Sequence, residues 1–139
     1  MIPLGIEPGL VSEASQEVTT ALSASHFGSG TLRVYATPAM VALVERTCQE
    51  MVQARLPTGQ STVGVAIQIR HLAPTPVGGT VRVRAEVVSV EPPVIVFKAQ
   101  VWDKHELIGE AEHRRAVIDV DRFMKRVEAK LAEADLRSS

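Results

Sequence analysis

The sequence predicts an α+β domain in which one curved antiparallel sheet wraps a single long helix. Three observations carry this expectation. Residues 37–56 form a helical segment too apolar to lie on a surface, four stretches of period-two alternation follow it, and short polar turns separate those stretches. The chain has 139 residues, of which 45% are hydrophobic and 22% charged, so one globular domain spanning 1–139 is expected, with no need of a disulfide or a metal to fold.

Residues 1–10 carry two prolines and two glycines and read as an extended lead-in. Residues 11–22, rich in Val, Thr and Ser, read as a strand, and 23–36 as a loop with Gly28-Ser29-Gly30 as its flexible point. The helix should begin with Thr37 as N-cap and Pro38 at the first helical position, where its missing N–H costs nothing. Met40, Val41, Leu43, Val44, Cys48, Met51 and Val52 spread widely around it, leaving only a broken polar stripe through Glu45, Arg46, Gln49, Glu50 and Gln53. Leu56-Pro57-Thr58-Gly59 should end it.

The four strands are expected over 62–72, 80–90, 94–102 and 107–119. In the first, Val63, Val65, Ile67 and Ile69 share a face that His71 continues inward. In the last, Leu107, Gly109, Ala111, His113, Arg115 and Val117 share the inner face, with Arg114 outward. The tail, 121–135, places Phe123, Val127 and Leu131 at helical spacing and reads as an amphipathic closing helix. A sheet of about five antiparallel strands around a central helix is the hot-dog fold. Its sheet keeps a free edge, so a homodimer or a dimer of dimers is expected.

Several function classes fall away. The net charge of −1 and the 4% aromatic content speak against a nucleic-acid binder. The first sixteen residues hold no Lys, Arg or long apolar run, and nothing approaches a membrane span, so a cytoplasmic protein is expected. Cys48 is the only cysteine and the four histidines are scattered, so no metal is expected. Motifs for a serine hydrolase, a zinc protease, a P-loop or a dinucleotide fold are absent, and no cofactor is expected.

Three polar residues occupy unusual positions. Thr37 starts the buried helix, Glu45 lies within it, and His71 continues an apolar strand face. Each has a structural explanation: a cap, a carboxylate at the helix's exposed edge, a core histidine bonded to backbone. Thr37 and Glu45 are eight residues apart, which is ~12 Å along a helix and ~80° around it. A direct bond within one chain is therefore not expected. Either substrate lies between them or two subunits share the site.

The segments VYATPAMVALVERTC, STVGVAIQIRHLAPTPVGGTVRVRAEV and IGEAEHRRAVIDVDRF resemble the fluoroacetyl-CoA thioesterase family of hot-dog proteins over most of 34–124. The resemblance implies an acyl-CoA thioesterase, with the CoA thioester as substrate. It implies Thr37, Glu45 and His71 as the catalytic set, Gly64 as the oxyanion residue and Arg115 as the family's arginine, here expected to meet CoA. The fluoroacetyl enzyme carries phenylalanines before its helix as a hydrophobic lid. Gly28 and Thr31 fall near those positions here, with Phe27 close by, so fluoroacetyl selectivity is not implied and a short or unusual acyl group is expected. Thr37, Glu45 or water could be the attacking group. Two other readings are a non-catalytic acyl-CoA or ligand-binding module and a hot-dog hydratase. A hydratase needs an Asp–His pair near the strand-to-helix junction, and no such pair precedes this helix.

Overall fold

The computed structural model describes residues 5–138, with side chains through Ala132. Of the lead-in expected over 1–10, residues 1–4 lie outside the described residues. Five strands form one antiparallel sheet: β1 (Val11–Glu17), β2 (Gln60–His71), β3 (Thr80–Glu91), β4 (Val94–Trp102) and β5 (Leu107–Asp119), in the order β1-β3-β4-β5-β2. Helix α2 (Thr37–Gln53) lies against its inner face. It buries Ala39, Met40, Leu43, Val44, Thr47, Cys48, Met51 and Val52. Opposite them stand Val81, Val83, Ala85 and Val87 of β3 and Ile95, Phe97, Ala99 and Val101 of β4, all buried. This is the arrangement expected from the alternation, and each residue of these two rows removes ~25 cal/mol of unfavourable hydration per Å² it covers.

Four local expectations need correction. First, Thr37 is not the helix cap. The N-cap is Ala36, in extended backbone with no side-chain cap bond, and Thr37 is the first helical residue, with Pro38 behind it. The Thr37 hydroxyl is engaged elsewhere, with His71.

Second, β2 does not keep one alternation. Gly64 pairs with Arg115 and Ala66 with Arg114, so Val65 is an extra residue, a β-bulge. Before it, Thr62 and Gly64 face inward; after it, Ile67, Ile69 and His71 do, each opposite an inward residue of β5. Val63 pairs with Ala116 on the outer face, and Val65 is 54% exposed.

Third, the segment 23–36 holds a short helix, α1 (Ala24–Phe27), where a loop was expected. Ser23 caps it by accepting from the His26 N–H, and Gly28 ends it in the left-handed region at φ +72°. The strand expected over 11–22 stops at Glu17, and a 3-10 turn covers Thr20–Leu22.

Fourth, the closing helix α3 (Val120–Ser138) runs beyond the expected 135, and its apolar stripe is largely unburied. Phe123 is half-buried, whereas Met124, Val127 and Leu131 are exposed.

Candidate active site

Helix α2 presents one i, i+4 row to β2: Thr37, Val41, Glu45, Gln49 and Gln53. At its far end the Gln53 amide donates to the Gln60 carbonyl and accepts from Ser61. In the middle, Glu45 faces Gly64. A β-carbon added to Gly64 would stand 2.9 Å from Glu45 Oε2. At the N-terminal end, Thr37 Oγ1 lies 2.8 Å from His71 Nδ1. Gly109 makes that last approach possible. It pairs with His71 across the sheet, and any β-carbon there would collide with the Met40 sulfur one turn beyond Thr37.

The structure therefore brings the five residues expected from the sequence into two groups. Thr37 and His71 form one, in a cleft of about 320 Å³ lined also by Val34, Tyr35, Leu72, Ala73 and Pro74. The edge of the Tyr35 ring packs against His71, with centroids 6.4 Å apart, and the Tyr35 hydroxyl donates to Gln16 at 2.9 Å. Burial holds His71 below the ordinary imidazole value of 6.5, partly offset by the Ala73 backbone. The ring is thus neutral at neutral pH, and Nε2 is buried without a hydrogen-bond partner. A neutral ring with the proton on Nε2 leaves Nδ1 to accept from Thr37, the relation of a base to a nucleophile.

Glu45, Gly64 and Arg115 form the other group. The Glu45 side chain is 43% exposed and its Oε2 lies 3.9 Å from Arg115 Nη1. Arg115 is 6% exposed. Its Nε donates to Thr62 Oγ1, its Nη2 to the Thr62 carbonyl, and its Nη1 lies 3.1 Å from His113 Nε2. The inward direction expected for Arg115 holds, but the guanidinium is spent inside the protein rather than offered at a rim. Cys48 lies near this group, and burial pushes its thiol up to about 12, so it carries no thiolate at neutral pH.

The two groups stand two helical turns apart on α2, ~12 Å along the axis. Thr62 and His113 belong to the second group and were not singled out in the sequence. One signal was present: Gly64 and His71 are seven residues apart. On a regular strand an odd separation puts two residues on opposite faces, so a shared inner face requires a bulge between them.

A larger groove, about 470 Å³, crosses the outer face of the sheet between Arg70, Arg84, Lys98, Glu86, Glu110 and Glu112, and none of the expected site residues lines it. Its charges alternate across the strands, with Glu86 opposite Lys98 and Lys98 opposite Glu112, the pattern of a solvated face.

The model of the FlK family, fluoroacetyl-CoA-specific thioesterase, matches residues 18–121. The fluoroacetyl-CoA thioesterase of Streptantibioticus cattleyicolor is 38% identical over 97 residues, 70% of each chain. A solved structure of the fluoroacetyl-CoA thioesterase FlK superposes with a TM-score of 0.85 at 31% identity, covering 91% of this chain and 98% of that one. A hot-dog-like protein from Thermanaerovibrio acidaminovorans, 23% identical, superposes with a TM-score of 0.84 over 88% of this chain and 91% of its own, which bears on the fold alone. With the family model covering strands β2 to β5, helix α2 and both groups of site residues, the chain belongs to the fluoroacetyl-CoA-specific thioesterase family and has its hot-dog fold.

Proposed function

We propose that this protein is an acyl-CoA thioesterase acting on a short or unusual acyl group, with each active site assembled from two copies of the chain. The observation that carries the chemistry is the 2.8 Å contact between the Thr37 hydroxyl and Nδ1 of a neutral His71. His71 takes the hydroxyl proton as Thr37 attacks the thioester carbon. The Gly64 N–H meets the oxyanion, a role suited to a residue whose backbone can be approached closely. CoA leaves as the thiol with the proton from His71. Glu45 then takes a proton from the water that attacks the acyl-Thr37 ester; the C–O bond to Thr37 breaks, that proton returns to Thr37 Oγ1, and the carboxylic acid product leaves with Glu45 again a carboxylate. Arg115 holds Glu45 from behind, a role that fits its burial better than contact with a CoA phosphate.

The same carbonyl cannot meet Thr37 and Gly64 of one chain, because Gly64 lies against Glu45, ~12 Å along the helix from Thr37. The free edge of β2 supplies a solution. Gly64, Val65 and Ala66 are exposed along it. Let a second copy pair antiparallel there about a two-fold through Gln68. Ile67 then faces Ile69, Ala66 faces Arg70, and, Val65 being the extra residue, Gly64 faces His71. Inner residues meet inner residues at every step, and the Thr37–His71 pair of one copy lies beside the Glu45–Gly64 pair of the other. A homodimer is thus part of the proposal, as is a cytoplasmic location, where CoA thioesters are met.

The segment before α2 bears on the substrate class. Gly28 stands at φ +72°, a conformation that a phenylalanine adopts only with strain, and Thr31 is exposed. Neither position carries an aromatic ring, while Phe27 beside Gly28 is 46% exposed, so our reading stays with a short or unusual acyl group and does not extend to fluoroacetyl selectivity. The test is release of free thiol from a series of acyl-CoAs, acetyl through octanoyl. Turnover greatest at the short end is expected. A folded protein that binds these thioesters and releases no thiol would make it a binding module instead.

A further inference from the structure

The bulge at Val65 decides whether the site can exist, because without it Gly64 and His71 could not share a face of β2. A one-residue slip of an edge strand turns every side chain beyond it to the opposite face, so the place of the extra residue must be fixed. We propose that His113, which no step above uses, is a positioning residue that locks this bulge in place and so holds Gly64 and His71 in register. The proposal rests on the thioesterase reading for its effect on turnover, but not for its effect on register.

The bonding pattern is specific. His113 is 1% exposed, on β5 opposite Ile67. Its Nδ1 lies 2.8 Å from the carbonyl of Ala66, the first residue after the bulge. A carbonyl only accepts, so Nδ1 carries the proton and donates. Its Nε2 is then an acceptor, and Arg115 Nη1 stands 3.1 Å away to donate to it. Arg115 in turn holds Thr62, on the other side of the bulge, through Nε and Nη2. The two side chains of β5 thus grip β2 before and after the extra residue and are bonded to each other. Phe97 stacks on the imidazole with centroids 6.1 Å apart, which fixes the ring plane. Burial, and Arg115 beside it, hold His113 below 6.5, consistent with a neutral ring that both donates and accepts.

Three variants separate the bonds. His113→Asn keeps an amide N–H near the Nδ1 position, so it keeps the grip on Ala66 and loses Arg115. His113→Gln reaches the Nε2 position, so it keeps an acceptor for Arg115 and loses Ala66. His113→Leu loses both. Cross-strand NMR contacts between Ala66 and Arg114 report the register, and thiol release from acetyl-CoA reports turnover. We expect the Leu and Gln variants to lose the Ala66–Arg114 contact and about a hundredfold in kcat, the scale of a small misplacement, with KM little changed. The Asn variant should keep the contact and stay within about tenfold of the parent in kcat. A folded Leu variant with intact register overturns the proposal. So does an Asn variant that loses register or folding as fully as Leu. An inactive parent protein would sink the thioesterase reading alone, since the NMR contacts would still test the lock.

Discussion

Replacing Gly64 with Ala tests the core of the site with one methyl group. Gly64 has an ordinary φ, so alanine costs nothing in backbone conformation. Its β-carbon would stand 2.9 Å from Glu45 Oε2, 3.3 Å from His113 Cε1 and 3.4 Å from Arg115 Nη1. The last two are tight but tolerable. The first is not, because a carbon and an oxygen in ordinary contact need roughly half an ångström more. Glu45 is 43% exposed, so its carboxylate can swing toward water while the buried groups stay where they are. Stability should therefore change by no more than about 1 kcal/mol, with the reduced freedom of the unfolded chain working in alanine's favour. Turnover should fall by ~10²-fold, because the carboxylate leaves its place and the methyl crowds the approach to the backbone N–H. Thermal melting and steady-state thiol release measure the two quantities separately. Parent-level kcat in a folded Gly64→Ala protein would refute the assignment of both Gly64 and Glu45. A large loss of Tm would refute the argument that Glu45 is the group that yields.

Thr37→Ala should leave stability nearly unchanged, since Ala36 and not Thr37 caps α2, while lowering kcat by ~10²–10⁴. Thr37→Ser should retain much of the activity, and a fully active Thr37→Asn enzyme would transfer the attack to Glu45 or to water. Lowering the pH should destabilise the fold. His71 and His113 are both held below 6.5, so the unfolded chain binds protons that the native state resists. Their contribution is complete above pH 6.5 and is lost as pH falls through their folded values, and melts between about pH 7.5 and 5 would show it. Arg115→Ala should cost about 1–3 kcal/mol, because it leaves the buried Thr62 and His113 without their partner. A KM whose salt dependence changed with that substitution would instead restore Arg115 to the CoA phosphates. Mixing inactive Thr37→Ala and Glu45→Gln proteins under subunit exchange should return about a quarter of parental activity, since half the dimers are mixed and each holds one intact site of two. No recovery would mean that each chain supplies its whole site.

Much of the fold was legible because its core elements obey one period each. Val81 to Val87 in β3 and Phe97 to Val101 in β4 alternate without interruption, and α2 is too apolar to belong anywhere but inside. The direction of Arg115 was legible for the same reason. What escaped was local and non-periodic. The bulge inverts the face of Val63 and Val65 while leaving the sequence pattern apparently regular, because valine and isoleucine suit either face of an edge strand. The cap at α2 was misplaced by one residue, since Thr is a good cap and nothing in the chain shows that His71 claims its hydroxyl. The role of His113 depends on a carbonyl far from it in sequence, at Ala66, and a contact of that kind has no periodic trace.

The two spacings, eight residues on a helix and seven on a bulged strand, make one geometric argument. Along α2 and along β2 alike, the Thr37–His71 pair and the Glu45–Gly64 pair lie too far apart to act on one carbonyl, yet both face inward and both border the same free edge. In the proposed dimer each chain would carry two halves of different sites. A two-fold at Gln68 would exchange them, and only with Val65 as the extra residue would Gly64 face His71. Dimerisation on this edge would then be a condition of turnover and not merely of solubility. Specific activity should fall on dilution in step with the dissociation of the dimer, while each monomer keeps its Thr37–His71 bond intact.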